Sequence, residues 1–134
     1  MTVIDCSAMV ELLAAKTYVG ESIAQRLTAA QTLYAPYLLD GEVISALLGL
    51  LRGKKITERE ADAALASYRV FPIDRQDILP LWPRIKSLHA NMSAYDAQYV
   101  ALAEALQVSL VTADARIDRS GVARCRVEVF GAHL

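Results

Sequence analysis

The stretch SAYDAQYVALAEALQVSLVTADARID, residues 93–118, reads as helix, turn, buried strand and turn, with acids where those elements meet: Asp96, Asp114 and Asp118. Ser93 stands three residues before Asp96 and just ahead of a run, Ala97 to Leu106, whose apolar side chains recur at helical spacing. As the acidic member of a capping box, Asp96 would accept a backbone hydrogen bond and complement the helix dipole, a contribution of about 0.3–1 kcal/mol. Val108-Ser109-Leu110-Val111-Thr112 is short, β-branched and bounded by polar residues, as expected of a central strand in a parallel sheet. Asp114 falls just past its carboxyl end. Open α/β sheets place their ligand crevice there, although the same position also suits a turn or cap residue.

Working outward, Thr2-Val3-Ile4 is a minimal buried strand ended by Asp5, and Ser7 can cap a helix from Ala8 through Leu13. A second helix is expected over Glu21 to Ala30, and a weak strand over Leu33-Tyr34-Ala35, closed by Pro36. A strongly apolar helix then runs from Leu38 to Arg52 and stops at Gly53. Glu42 lies in its first turns among apolar neighbours. Carboxylates enter such a face when paired or metal-bound, yet a solvent-facing place near the helix start would suit it equally. Thr57 and Glu60 form a capping box for a helix whose apolar stripe is Ala61, Ala64, Leu65 and Tyr68. Val70 to Ile73 is predicted as a strand and Asp77 to His89 as a helix disturbed at its start by Pro80 and Pro83, with Trp82 in the core and His89 at the surface or helix end. Val127 to Phe130 alternates like an edge strand. This order predicts one α/β domain spanning residues 1–134, its central, mostly parallel sheet of four to five strands flanked by helices.

Composition agrees with a compact domain. The 134 residues suffice to bury roughly two-thirds of the unfolded surface. The 54% apolar fraction suggests an additional covered face, hence a bound protein or a dimer. With a net charge of −1, attraction for nucleic acid must come from a local patch or a bound metal. Two cysteines, Cys6 and Cys125, in strand-like contexts, read as free buried thiols in a reducing compartment. No basic leader precedes the first apolar residues, and no apolar run approaches a membrane span, so a soluble cytoplasmic protein is expected.

Asp5 and Asp114 leave strand ends while Glu42 and Asp96 open helices, places that converge on one edge of a doubly wound sheet. Crowded carboxylates repel, so such a group should hold a hard divalent ion, Mg²⁺ or Mn²⁺. The segments Val3-Ile4-Asp5-Cys6-Ser7, Glu42-Val43-Ile44-Ser45-Ala46-Leu47, Tyr95 to Ala103 and Val111-Thr112-Ala113-Asp114 resemble the successive motifs of the PIN-domain family, specifically its VapC-type toxins of bacterial toxin–antitoxin pairs. The resemblance covers essentially the whole chain. It implies a PIN-like three-layer fold and a metal-dependent ribonuclease with Asp5, Glu42, Asp96 and Asp114 as its acidic quartet. It further implies polar support from Ser7 and Thr112, a further acid at Asp118, a VapB-like antitoxin laid across the helices of residues 8–13 and 38–51, and a homodimer. Ser45 departs from the pattern, standing where many members carry Asn and reaching less far toward Glu42.

The expected chemistry is phosphodiester hydrolysis that leaves a 5′ phosphate and a 3′ hydroxyl without a covalent enzyme intermediate. RNA contacts are assigned to Arg52, Lys54, Lys55, Arg116 and Arg119, whose alternative is a solvated surface. Two other classes compete. A phosphoryl-accepting receiver module needs an acidic pair after or near its first strand and a Lys near its last ones, where this chain has one Asp and Arg. A catalytically silent binding module is opposed by acids at all four positions.

Overall fold

The computed structural model describes residues 1–14, 17–29 and 32–131. Among them the chain runs β1 (Thr2–Ile4), α1 (Cys6–Leu13), α2 (Tyr18–Thr28), β2 (Leu33–Pro36), α3 (Leu38–Arg52), α4 (Glu58–Arg69) and β3 (Ile73–Gln76). It continues through a 3₁₀ turn (Leu79–Leu81), α5 (Trp82–Leu88), α6 (Ala94–Leu106), β4 (Ser109–Thr112), α7 (Arg116–Arg119) and β5 (Val127–Val129). The strands form one sheet in the order β3-β2-β1-β4-β5, every pairing parallel.

That order fixes where a site belongs. From β1 the chain first builds outward through β2 and β3, then returns to the other flank of β1 with β4 and β5. The direction reverses between β1 and β4, and at such a switch point the loops leaving the carboxyl ends diverge and open a crevice. Asp5 follows β1 and Asp114 follows β4.

The sheet is buried because its central strands are apolar on both faces: Val3, Ile4, Leu110 and Val111 are fully inaccessible. Helix α6 lies against β1, β2 and β4, and buries Ala97, Val100, Ala101 and Ala103. Small residues there let the helix approach the strands closely. Its ends follow local rules, since Ser93 Oγ accepts from the Asp96 amide at 3.0 Å and Gln107 closes the helix in the left-handed region at φ 56°. Helix α3 spans the predicted residues, and the Thr57–Glu60 capping box opens α4.

Several elements differ from expectation. Asp5, rather than Ser7, caps α1: its Oδ1 accepts the Ala8 amide at 3.0 Å, and the helix begins at Cys6, which is therefore not a strand residue. Helix α2 starts at Tyr18 with Gly20 buried inside it; the predicted terminus Ala30 lies outside the described residues. Pro36 belongs to β2, paired with Gln76. Strand β3 starts at Ile73, not Val70, because the chain first turns: the Ile73 amide bonds the Phe71 carbonyl at 2.9 Å across Pro72. As an edge strand it tolerates the polar sequence IDRQ. Pro80 and Pro83 split the predicted helix into the 3₁₀ turn and α5. Ile85 and Leu88 are the buried residues of α5, whereas Trp82, at its first position, is 60% exposed and carries the Lys86 ammonium 5.6 Å from its ring centre instead of entering the core.

Candidate metal centre

Asp5 is the best-anchored acid. The Asp5 amide continues the β1–β4 ladder by donating to the Val111 carbonyl at 3.2 Å, which sets its carboxylate beside Thr112 on the neighbouring strand. There Thr112 Oγ1 donates to Oδ2 at 2.5 Å, Ser7 Oγ donates to Oδ1 at 2.7 Å and the Ala8 amide supplies a third bond. Both hydroxyls are themselves fixed, Ser7 Oγ by the Ala113 amide at 2.9 Å and Thr112 Oγ1 by the Asp114 amide at 3.0 Å. Burial nonetheless pushes the Asp5 carboxyl up to about 6, because the bonds offset only part of the lost hydration and the charge of Asp96 adds to the rise.

Glu42, near the start of α3, is half-buried and accepts a 2.5 Å hydrogen bond from Tyr99 of α6. Its carboxyl is raised by burial and by Asp96, against the downward pull of the Tyr99 hydroxyl. Asp96 is raised by burial and by Asp114, while Arg116 and Ser93 pull the other way. Glu42, Asp96 and Arg116 line one cleft of about 320 Å³, with Asn91, Tyr95 and Ile117 completing its wall. Cys6 lies within the field of Glu42 and Asp5, and its thiol is pushed up to about 12, first by burial and then by these two charges. It is therefore a protonated, inert thiol at neutral pH.

Asp114 differs from the other three. Arg116 holds its carboxyl below the usual range through guanidinium contacts of 2.6 to 3.1 Å and a backbone bond of 2.9 Å. Among the described residues no group of three or more His, Cys, Asp or Glu is gathered tightly enough to hold an ion as it stands. The four carboxylates nevertheless feel one another in sequence, Asp5 and Glu42 through Asp96, and Asp96 through Asp114. Their chemistry is that of a hard-cation site, all oxygen donors with like-charge repulsion that Arg116 relieves at Asp114 and only in part at Asp96.

The remaining candidates are dispersed. Ser7 and Thr112 join Asp5 as described. Ser45 is exposed on α3, and among the described residues no hydrogen bond joins it to Glu42. Asp118 is exposed on α7. Arg119, one residue on, is near enough for its charge to act on Asp114. Arg52 ends α3, about 15 Å along the helix axis from Glu42, and Lys54 and Lys55 lie just past it. Lys55 lines a separate cleft with Glu11 and Glu60. Tyr99 was not anticipated from the sequence. The available signal was its spacing, three residues after Asp96 and so on the same helical face.

Comparison with known proteins identifies the family and the fold. Residues 2–122 match the PIN domain. The chain is 39% identical over 129 residues to Ribonuclease VapC9 of Mycobacterium tuberculosis, covering 96% of this chain and 98% of that protein. It is 33% identical over 129 residues to Ribonuclease VapC12 of the same organism, with the same coverage. Its fold matches the crystal structure of M. tuberculosis VapC20, described as a sarcin-ricin loop cleaving toxin, with a TM-score of 0.65 at 18% identity over 94% of this chain and 99% of that one. A Pyrobaculum aerophilum structure matches with a TM-score of 0.62 at 19% identity, over 94% of this chain and 87% of that one. A parallel sheet with acids at its switch point and a family match over most of its length place this chain in the PIN-domain family, in its VapC branch.

Proposed function

We propose that this chain is a ribonuclease toxin of the VapC type, hydrolysing RNA phosphodiester bonds with Mg²⁺ or Mn²⁺ and silenced by a VapB-like antitoxin. The observation that supports the reading is that Glu42 and Asp96 line one cleft, Asp5 lies within reach of the Asp96 charge, and among the described residues none of the three is hydrogen-bonded to a cation. Asp5, Glu42, Asp96 and Asp114 would hold the ion, and its closest approach to Asp114 requires that carboxylate to leave Arg116. The chemistry such an ion would supply there is Lewis acidity toward the scissile phosphate and toward the attacking water.

The chain's own residues supply orientation. Thr112 and Ser7 fix the rotamer of Asp5, and Tyr99 fixes Glu42, so two oxygen donors from different elements are held in set orientations. Arg116 and Arg119 supply positive charge at the mouth, where RNA phosphates enter. The products are a 5′ phosphate and a 3′ hydroxyl, and no side chain becomes covalently attached.

On the outer face of α3, Tyr37, Ile44 and Leu48 are 64%, 47% and 52% exposed and share one stripe at helical spacing. That stripe supports the reading of α1 and α3 as the antitoxin face, with a homodimer as the working assembly. No described helix is long and apolar enough to cross a membrane, and we assign the activity to the cytoplasm.

The test maps the ends of RNA cleaved by the purified protein. Cleavage should stop in EDTA, return with Mg²⁺ or Mn²⁺, and be absent from Asp5→Asn. Undiminished cleavage in EDTA would overturn the mechanism.

A further inference from the structure

Arg116 carries an inference that rests on the metal reading above and goes past it. Its Nε lies 3.1 and 2.9 Å from the two Asp114 oxygens, and its terminal nitrogen 2.6 Å from Oδ2. Among the described residues every hydrogen bond of this guanidinium goes to Asp114. A carboxylate covered on both oxygens by a bidentate fork has its best lone pairs spent. Yet the arginine is not packed in place: its side chain is 74% exposed, against 21% to 28% for Arg26, Arg75 and Arg84 in their own ion pairs. It also lines the cleft beside Glu42 and Asp96, and its charge reaches Asp96.

We propose that Arg116 is a phosphate-binding residue held in reserve by Asp114. Asp114 can serve either the guanidinium or a divalent ion. When it turns to the ion, it releases Arg116 at the cleft mouth. There the planar fork matches an RNA phosphate as well as it matched the carboxylate. The arrangement couples the two events: metal loading creates the free cation that substrate needs, and the unloaded protein shows RNA one fewer positive group.

Two measurements test this with the full chain. Mn²⁺ binding, followed by the electron paramagnetic resonance of free Mn²⁺, should be about two- to fivefold tighter in Arg116→Ala than in the wild type, the range expected when an exposed competing ion pair is removed. Binding of a short fluorescein-labelled phosphorothioate RNA, followed by anisotropy across a salt series, should show the substitution lowering the salt slope by about 0.7 with Mn²⁺ present and leaving it unchanged in EDTA. If Arg116 merely props Asp114 in place, the variant binds Mn²⁺ more weakly; that result, or unchanged affinity, overturns the proposal. An equal loss of slope with and without Mn²⁺ does so too. Asp5→Asn separates the underlying reading: wild-type binding of Mn²⁺ that Asp5→Asn loses keeps the metal centre whatever Arg116 does, and no binding by the wild type sinks both.

Discussion

The carboxylates of this molecule fall into two groups that differ in what faces them. Asp40, Glu104 and Glu128, away from the crevice, each meet an arginine: Arg75 at 2.8 Å, Arg84 at 2.7 Å and Arg26 at 2.7 Å. All three are held below their ordinary ionisation range, Glu104 despite burial, because Arg84 and the Arg124 amide outweigh the lost hydration. Asp5, Glu42 and Asp96 are at least as well buried and take their hydrogen bonds from hydroxyls and amides; they feel one another's charge and are raised, Asp96 despite the nearby charge of Arg116. Nothing in local structure requires this. The first arrangement stabilises a fold and the second costs stability, which is expected where charge is kept for a ligand. Asp114 stands between the groups, carrying an arginine while its charge acts on Asp96.

The sharpest way to break the contrast is Asp5→Asn. Removing a central metal-binding carboxylate should lower turnover on the order of 10²-fold or more, beyond the 10- to 100-fold typical of supporting residues. In EDTA at neutral pH the same variant should be more stable than the wild type, by about 1–3 kcal/mol, because a buried charge without a cation is gone. Urea unfolding beside a cleavage assay reads both. A variant that loses stability would place Asp5 among the structural acids.

The pH dependence has a defined sign. With the Asp5 carboxyl at 3.8 unfolded and about 6 folded, the native state binds more protons between those values, so its stability falls as pH rises through that window. The fall attributable to Asp5 is roughly 3 kcal/mol and complete above pH 6. It should appear as the difference between wild type and Asp5→Asn in metal-free unfolding curves from pH 4 to 7, and parallel curves would contradict it.

Arg84→Ala probes the other group. Glu104 would keep only the Arg124 amide, at a cost of about 1–3 kcal/mol and with turnover unchanged. Because the folded Glu104 carboxyl lies below its ordinary 4.5, that contribution is present above 4.5 and is lost as pH falls through the folded value. The variant and wild type should therefore converge in acid.

The smallest expected effect is that of Tyr99→Phe, which keeps the buried ring and deletes the hydroxyl on Glu42. Stability should drop by about 1 kcal/mol and Mn²⁺ affinity by about tenfold. A stability loss with intact affinity would make the bond a packing contact alone.

Much of the fold was legible because it obeys short-range rules. The apolar run of α3 ends at Gly53, Thr57 and Glu60 sit at capping-box spacing, and the β-branched run of β4 ends before Asp114. Misreadings occurred where one residue serves two demands. Asp5 both caps α1 and takes the hydroxyls of Thr112 and Ser7, so the serine two residues on looked like the cap. Val70 to Ile73 had the composition of a strand, but Pro72 could not donate to a ladder and the polar IDRQ became the edge. Trp82 had the size of a core residue and was left outside by the short helix it begins.

By itself the sequence determined which acids exist and which ends of which elements they occupy, because caps, periods and strand ends are local properties. Tertiary structure decided their partners. Thr112 reaches Asp5 across 107 residues and Tyr99 reaches Glu42 across 57, contacts set by strand register and helix packing that no local period encodes. Among the described residues the same packing put no arginine in hydrogen-bond contact with Asp5, Glu42 or Asp96 and gave Asp114 one, and a side chain's ionisation follows from what surrounds it in space.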